Sequence, residues 1–306
     1  MKKKCLICFI LPMILLIALP LTACNDGRTQ PTTEASIYNF EEYENVDIFD
    51  IKKVELSEEL AEKCCSYKFT YLSDGLKIKG YISIPNTAIE ANVPWKCVVY
   101  NRGGNRDYGR LENDTTAMAC SFCDRIVIAS QYRGAGGSEG SDQLGGDDLH
   151  DVIKLIDFCE DYFPFVDMDD FAVMGASRGG MMTYMTARSD SRVKRIIAVS
   201  AVSDMFESYE AREDMRRVSL ETIGCTPTDN PEEYEKRSAV YWYDELKIPV
   251  LIIHSKKDEQ VHFSQAEELY SKLKDATECS FITYEDDVHG IHPEDRQIIY
   301  DWLHKE

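Results

Sequence analysis

Gly175-Ala176-Ser177-Arg178-Gly179-Gly180 constrains this chain more than any other segment. It follows the apolar run Phe171-Ala172-Val173-Met174 and precedes Met181-Met182-Thr183-Tyr184-Met185-Thr186-Ala187, which suits a helix. A strand, a sharp turn and a helix around Gly-x-Ser-x-Gly form a nucleophile elbow. The glycines are there for steric reasons. The turn strains the serine backbone, and Cβ atoms on its flanks would collide with the adjoining strand and helix. Such a turn holds one hydroxyl above a sheet edge, with helix N-terminal amides beneath it.

A serine hydroxyl is a poor nucleophile until a base takes its proton, and that base needs an acid to orient it. On this kind of turn the chain order is Ser, then Asp or Glu, then His. Downstream, Ile248-Pro249-Val250-Leu251-Ile252-Ile253-His254 reads as a buried strand running into Ser255-Lys256-Lys257-Asp258. A helical stretch, Ser264 to Leu273, and a further strand, Cys279 to Tyr284, lead to Asp286-Asp287-Val288-His289-Gly290. The spacing puts Ser177, Asp258 and His289 at one edge of a parallel sheet, where open α/β folds bind ligands. Each has a rival. Asp258 can also be read as a helix cap. Asp204, after the strand Ile196 to Ser200, is the alternative acid. His292, three residues past His289, is the alternative base. His289 is preferred because the glycine after it suits a tight loop. His254 reads as a structural residue ending a strand, and His150, His262 and His304 carry no supporting pattern. For the oxyanion of an acyl-transfer intermediate, the amide of Arg178 and one from the Gly103-Gly104 turn, just past the strand Cys97 to Tyr100, are the candidate donors.

With these residues in view, the chain from about Cys65 to its end resembles the catalytic domain of the prolyl oligopeptidase family and its single-domain, esterase-like relatives. Tyr67 to Pro85, with Ser73-Asp74-Gly75 between two strand-like runs, resembles the family's opening hairpin. Val98-Val99-Tyr100-Asn101-Arg102-Gly103-Gly104 resembles its strand and oxyanion turn, and Gln131-Tyr132-Arg133-Gly134-Ala135-Gly136-Gly137 its Tyr-Arg-Gly-x-Gly-Gly loop. Asp147-Asp148-Leu149-His150-Asp151-Val152 and Arg237-Ser238-Ala239-Val240 match further family segments. The chain departs from the pattern at Arg102, where members often carry Tyr or His, and at Ser255, where glycine is usual. The region that holds the family's β-propeller is absent from this sequence. The resemblance therefore implies serine hydrolase chemistry more firmly than any peptide specificity.

The alternation of buried strands with helices from Trp95 onward implies an α/β-hydrolase fold: a mostly parallel, doubly wound sheet with an N-terminal antiparallel hairpin. Residues 204–243 break the alternation. They are helical and charged, with Thr226-Pro227 and Asn230-Pro231 turns, and are expected to form a small insertion over the site. The N-terminus reads as export machinery. Lys2-Lys3-Lys4 is a basic n-region, and Leu6 to Leu19 is an apolar h-region interrupted by Pro12 and short for a membrane span. Leu21-Thr22-Ala23-Cys24 resembles a bacterial lipobox, so residues 1–24 are expected to be a lipoprotein signal with Cys24 lipidated. Residues 25–45 are expected to be a tether, most polar from Asn25 to Ser36. The domain proper is expected at 46–306, outside the cytoplasm and held to the cell membrane by lipid.

Charge narrows the possible partners. The formal net charge is −20, and loss of the three signal lysines would make it more negative. Nucleic-acid binding needs a basic footprint and is not expected. Attraction to anionic lipid headgroups is disfavoured as well, so attachment must come from the lipid. Of 11 cysteines, eight lie beyond Cys24, an even number that permits disulfides in an exported protein. Yet Cys97, Cys159 and Cys279 sit in apolar patterns that favour burial as free thiols. Cys120 and Cys123 have half of a zinc spacing with no second pair to complete it, so no metal is implied, nor any cofactor. The expected function is a serine peptidase for short peptides; the alternative is a carboxylesterase for small or carbohydrate-linked esters, and a non-catalytic binding lipoprotein is disfavoured because all three triad positions hold competent residues. Arg102, Arg106, Arg110 and Arg133 fall near the expected site, either to hold a substrate carboxylate or to pair with acids such as Asp107 and Glu139.

Overall fold

The computed structural model describes residues 36–305. The expected signal, the lipidation position Cys24 and the tether up to residue 35 lie outside the described residues. Nine strands form one sheet: β1 Ile48–Lys53, β2 Cys64–Ser73, β3 Leu76–Pro85, β4 Trp95–Asn101, β5 Ile126–Ser130, β6 Val166–Ala176, β7 Arg195–Val199, β8 Val250–Ser255 and β9 Cys279–Tyr284. Their spatial order is β1-β2-β3-β5-β4-β6-β7-β8-β9. The first three strands run antiparallel to their neighbours, and β4 through β9 pair in parallel. This is the doubly wound sheet with an opening hairpin that the strand pattern implies, with β1 added at the edge.

The parallel strands are apolar on both faces because helices cover both. Cys97, Val99, Ile126, Ile128, Phe171, Val173, Ile196 and Ile252 point into one core with Leu155, Met181, Met182 and Leu269. The alternate residues Val98, Val127, Ala172, Ile197 and Ile253 face the other core with Ala117, Cys120, Ile299 and Leu303. The helices Asp148–Tyr162, Arg178–Ser189 and Phe263–Leu273 therefore lie on one side. Thr115–Cys123 and Asp295–Leu303 lie on the other.

Chain order doubles back at the centre. From β4 the chain crosses to β5 on one side, then to β6 on the other, leaving a crevice beyond the carboxyl ends of β4 and β6. Register aligns that edge. Asn101 pairs with Gly175, so Gly103 and Ser177 each lie two residues past the same rung.

Two expectations are corrected here. The folded domain starts before residue 46: Tyr38 and Phe40 are buried, and Phe40 packs on Phe69 and Phe163. Polar neighbours hid these aromatic anchors in what reads as tether. Cys279 is only half-buried, because β9 closes the edge of the sheet. All eight described cysteines are free thiols. Residues 204–243 are helical as expected, in pieces at Met205–Ala211, Glu213–Thr222 and Pro231–Glu235. Pro231 opens its helix where a missing N–H costs nothing.

Candidate active site

Ser177 has φ 58° and ψ −125°, a region that non-glycine residues avoid, and caps the Arg178–Ser189 helix. A backbone so placed costs on the order of 1–3 kcal/mol and persists only where its surroundings over-determine it. They do so here. The Ser177 amide donates to the Val199 carbonyl at 2.9 Å, and the Ser177 carbonyl accepts from Gly180 at 3.0 Å. The elbow glycines leave no room for a side chain. A Cβ on Gly179 would stand 2.0 Å from the Asn101 carbonyl oxygen, and one on Gly175 would stand 2.4 Å from that of Gly179.

Asp258 is buried in the loop after β8. Its Oδ2 meets His289 Nδ1 at 2.7 Å, and its Oδ1 accepts the amides of Gln260 at 2.8 Å and Val261 at 3.0 Å. His254 Nε2 donates to the Val261 carbonyl at 2.8 Å and lies 3.4 Å from Asp258 Oδ2. Burial opposes the charge on Asp258. Hydrogen bonds from His254, His289 and the Val261 amide outweigh it and hold the carboxyl well below the usual carboxylate range. The His289 loop is tied back to the sheet where the Gly290 amide donates to Ser200 Oγ at 3.1 Å.

The rivals are occupied elsewhere. Asp204 caps the Met205–Ala211 helix, accepting the amides of Phe206 at 2.8 Å and Glu207 at 3.2 Å. Burial raises its pKa. His292 is buried against Tyr284, with ring centroids 4.0 Å apart, and meets Ser255 Oγ at 3.0 Å. The serine that departs from the usual glycine thus anchors a structural histidine.

The Gly103-Gly104 turn lies beside Ser177. A Cβ on Gly103 would stand 3.6 Å from Ser177 Cβ. Gly104 has φ +69°, and a side chain there would strike the Tyr108 carbonyl. Two of the arginines that sequence alone leaves open between a substrate and acidic partners are held by the fold. Arg102 is buried and donates to the carbonyls of Gln131, Gly103, Tyr108 and Arg106, so it shapes the turn from behind. Arg133 pairs with Asp151 and Asp74, both at 2.8 Å. Arg110 is exposed beside Glu112. Arg178 reaches back under the turn, donating to the Gly104 carbonyl at 3.1 Å and pairing with Asp142 at 2.7 Å and with Asp148. Two guanidinium groups lie over the ring of Tyr132 in the Tyr-Arg-Gly loop, Arg178 at 4.9 Å and Arg102 at 5.4 Å from its centre.

A cavity of about 710 Å³ opens over these groups. Gly103, Gly104, Ser177, Arg178 and His289 line its polar floor, and Leu144, Met181, Val202, Met205, Met215 and Val218 its apolar wall. Arg106, Arg212 and Arg217 line it too. Sequence reasoning missed the last two, whose only signal is the charged character of the insertion. An apolar pocket with a few convergent polar groups is the form of a small-ligand site.

A strained serine on a strand-to-helix elbow, free helix-start amides, and a histidine held by a buried carboxylate define an α/β hydrolase, and the chain is a serine hydrolase. A family model described as the prolyl oligopeptidase family matches residues 117–306, and the chain belongs to that family. It is 32% identical over 209 residues to the peptidase YtmA of Bacillus subtilis, covering 68% of this chain and 79% of that protein. The acylaminoacyl peptidase of Pyrococcus horikoshii superposes with a TM-score of 0.65 at 23% identity, over 79% of this chain. This chain covers only 41% of that one. An acetyl xylan esterase from Paenibacillus sp. R4 superposes with a TM-score of 0.64 at 17% identity, covering 87% of this chain and 91% of the esterase. Both superpositions speak to the fold alone.

Proposed function

We propose that this protein is a serine peptidase acting on short peptides through an acyl-enzyme on Ser177. The 2.7 Å contact between His289 Nδ1 and Asp258 Oδ2, in the cavity wall that Ser177 also lines, carries the reading. Asp258 keeps the proton on Nδ1 and leaves Nε2 basic. His289 Nε2 takes the Ser177 proton as Oγ bonds to the carbonyl carbon. The carbonyl electron pair moves to oxygen, which accepts hydrogen bonds from the Arg178 amide and an amide of the Gly103-Gly104 turn. The pair returns, the bond to the leaving group breaks, and His289 delivers the proton to that group. Water, activated by the same imidazole, then releases the acyl group.

Family membership and the peptidase relative favour an amide substrate. Purified protein assayed against di- to tetrapeptide and acyl-ester libraries tests this. Peptide cleavage supports the proposal. Ester cleavage with no peptide cleavage assigns the site to a carboxylesterase.

We infer further that Cys24 is the lipidated first residue of an extracytoplasmic protein. The basic n-region, the short apolar stretch and Leu21-Thr22-Ala23-Cys24 support this. Acyl chains add about 0.8 kcal/mol per buried methylene, so multiple chains would hold the domain at the membrane. The intact mass of membrane-extracted protein is the check. A mature chain beginning elsewhere, or without lipid, overturns the inference and leaves the hydrolase standing.

A further inference from the structure

The Glu213–Thr222 helix of the insertion is tied to the active-site edge at both ends. At its start, Arg212 Nη1 donates to the carbonyl of Gln260 at 2.9 Å, two residues past Asp258. At its end, Glu221 pairs with Arg106 Nη1 at 2.5 Å, three residues past Gly103. The helix therefore runs from the acid loop to the oxyanion turn, a span of about 15 Å at 1.5 Å per residue. Met215, Arg217 and Val218, midway along it, line the cavity.

The cavity's arginines differ in one respect. Arg178 is matched by Asp142 and Asp148, Arg212 by Asp214 at 2.5 Å, and Arg106 by Glu221. Arg217 is exposed and has no hydrogen-bond or ion-pair partner among the described residues. The chain carries 54 acidic against 34 basic residues. Even so, an unmatched cation stands midway along a helix that reaches both sides of the site.

We propose that Arg217 is a specificity-determining residue that binds a carboxylate of the substrate, namely the free α-carboxylate of a short peptide whose scissile carbonyl lies at Ser177. This rests on the serine peptidase reading above. A guanidinium offers a planar fork that matches a carboxylate with paired hydrogen bonds. At about 710 Å³ the cavity is the size of a small-ligand site, so carboxylate and scissile bond must lie within a few residues of each other. An acidic side chain near the bond offers the same chemistry, and the test separates the two sources.

The test compares wild type, Arg217→Ala and Arg217→Lys on a cleaved short peptide, on its C-terminal amide, and on the amide carrying a Glu next to the bond. p-Nitrophenyl acetate, which has no carboxylate, reports the triad and the integrity of the fold. Wild type should cleave the free acid in preference to the amide. Arg217→Ala should raise KM for the free acid roughly tenfold or more with little change in kcat, as expected when a charge-assisted bond is lost. The amide and the ester should be unaffected, and Arg217→Lys should recover part of the loss. If only the Glu-containing amide responds, the carboxylate comes from the side chain, and the assignment to the α-carboxylate is overturned. Equal cleavage of acid and amide by wild type, or equal losses on both in Arg217→Ala, overturns the proposal. Failure of wild type on the ester as well as on the peptides overturns the hydrolase reading instead.

Discussion

The loops at the sheet edge and the insertion that spans them are built differently. Around Ser177, Asp258 and His289, polar groups are satisfied by the sheet edge itself: the Val199 carbonyl for the elbow, the backbone amides of Gln260 and Val261 for the buried Asp258, and Ser200 for the His289 loop. Even the guanidinium of Arg178 is buried, between Asp142 and Asp148. The Glu213–Thr222 helix instead meets the site through Arg106–Glu221 and Arg212–Gln260, contacts between half-exposed side chains and loops. Rigid, desolvated positioning is what proton transfer and oxyanion stabilisation require. Contacts at the rim contribute little to stability and are free to vary with the substrate. On the proposed function, the chemistry belongs to the sheet edge and the selectivity to the insertion.

The largest expected effect falls on the edge. Asp258→Asn should keep the fold and lose turnover on the order of 10⁴-fold, because the imidazole would take the wrong tautomer. Steady-state kinetics on any cleaved substrate measures this. The same variant has a pH signature in stability. The native carboxyl of Asp258 titrates below its unfolded value of about 3.9, so its contribution is full above that range and is lost as pH falls through the native value. The gap in melting temperature between wild type and Asp258→Asn should be steady near neutrality and narrow below about pH 4.

Next in size is Arg178→Ala, which strands Asp142 and Asp148 in the interior. Removing one side of a buried ion pair costs about 3–5 kcal/mol, and denaturant unfolding should register that loss. A value near zero would mean that the turn is not braced from beneath. Smaller again is Asp204→Ala. Loss of a helix cap costs about 0.5–2 kcal/mol, with turnover close to wild type. A crippled Asp204→Ala with an active Asp258→Asn would exchange their roles. Smallest is Glu221→Gln, which should change stability by less than about 1 kcal/mol, yet shift KM by freeing one end of the helix.

These contrasts also mark what sequence can express. The parallel strands were legible because burial on both faces makes them continuous apolar runs, as in Val250 to Ile253. Ser177 and Asp258 were legible because each follows such a run; His289 follows the half-exposed edge strand β9 and was legible from its place after Asp258 in chain order and from the glycine beside it. β1 was not, since Ile-Phe-Asp-Ile-Lys-Lys at a sheet edge is half exposed and lacks that pattern. The roles of Arg102 and Arg133 stayed open in the sequence for a related reason. Whether a cation faces a cavity or four carbonyl oxygens depends on chain segments far apart in sequence. Arg217 was invisible until the insertion was seen to meet both Arg106 and Gln260.

The central claim is that the elbow makes Ser177 the nucleophile. A fluorophosphonate forms a covalent bond only with a serine activated in this way, and peptide mass mapping locates the adduct. The structure predicts one adduct, on Ser177, lost in a folded Ser177→Ala variant. An adduct on another serine, or labelling that survives in Ser177→Ala, would contradict it.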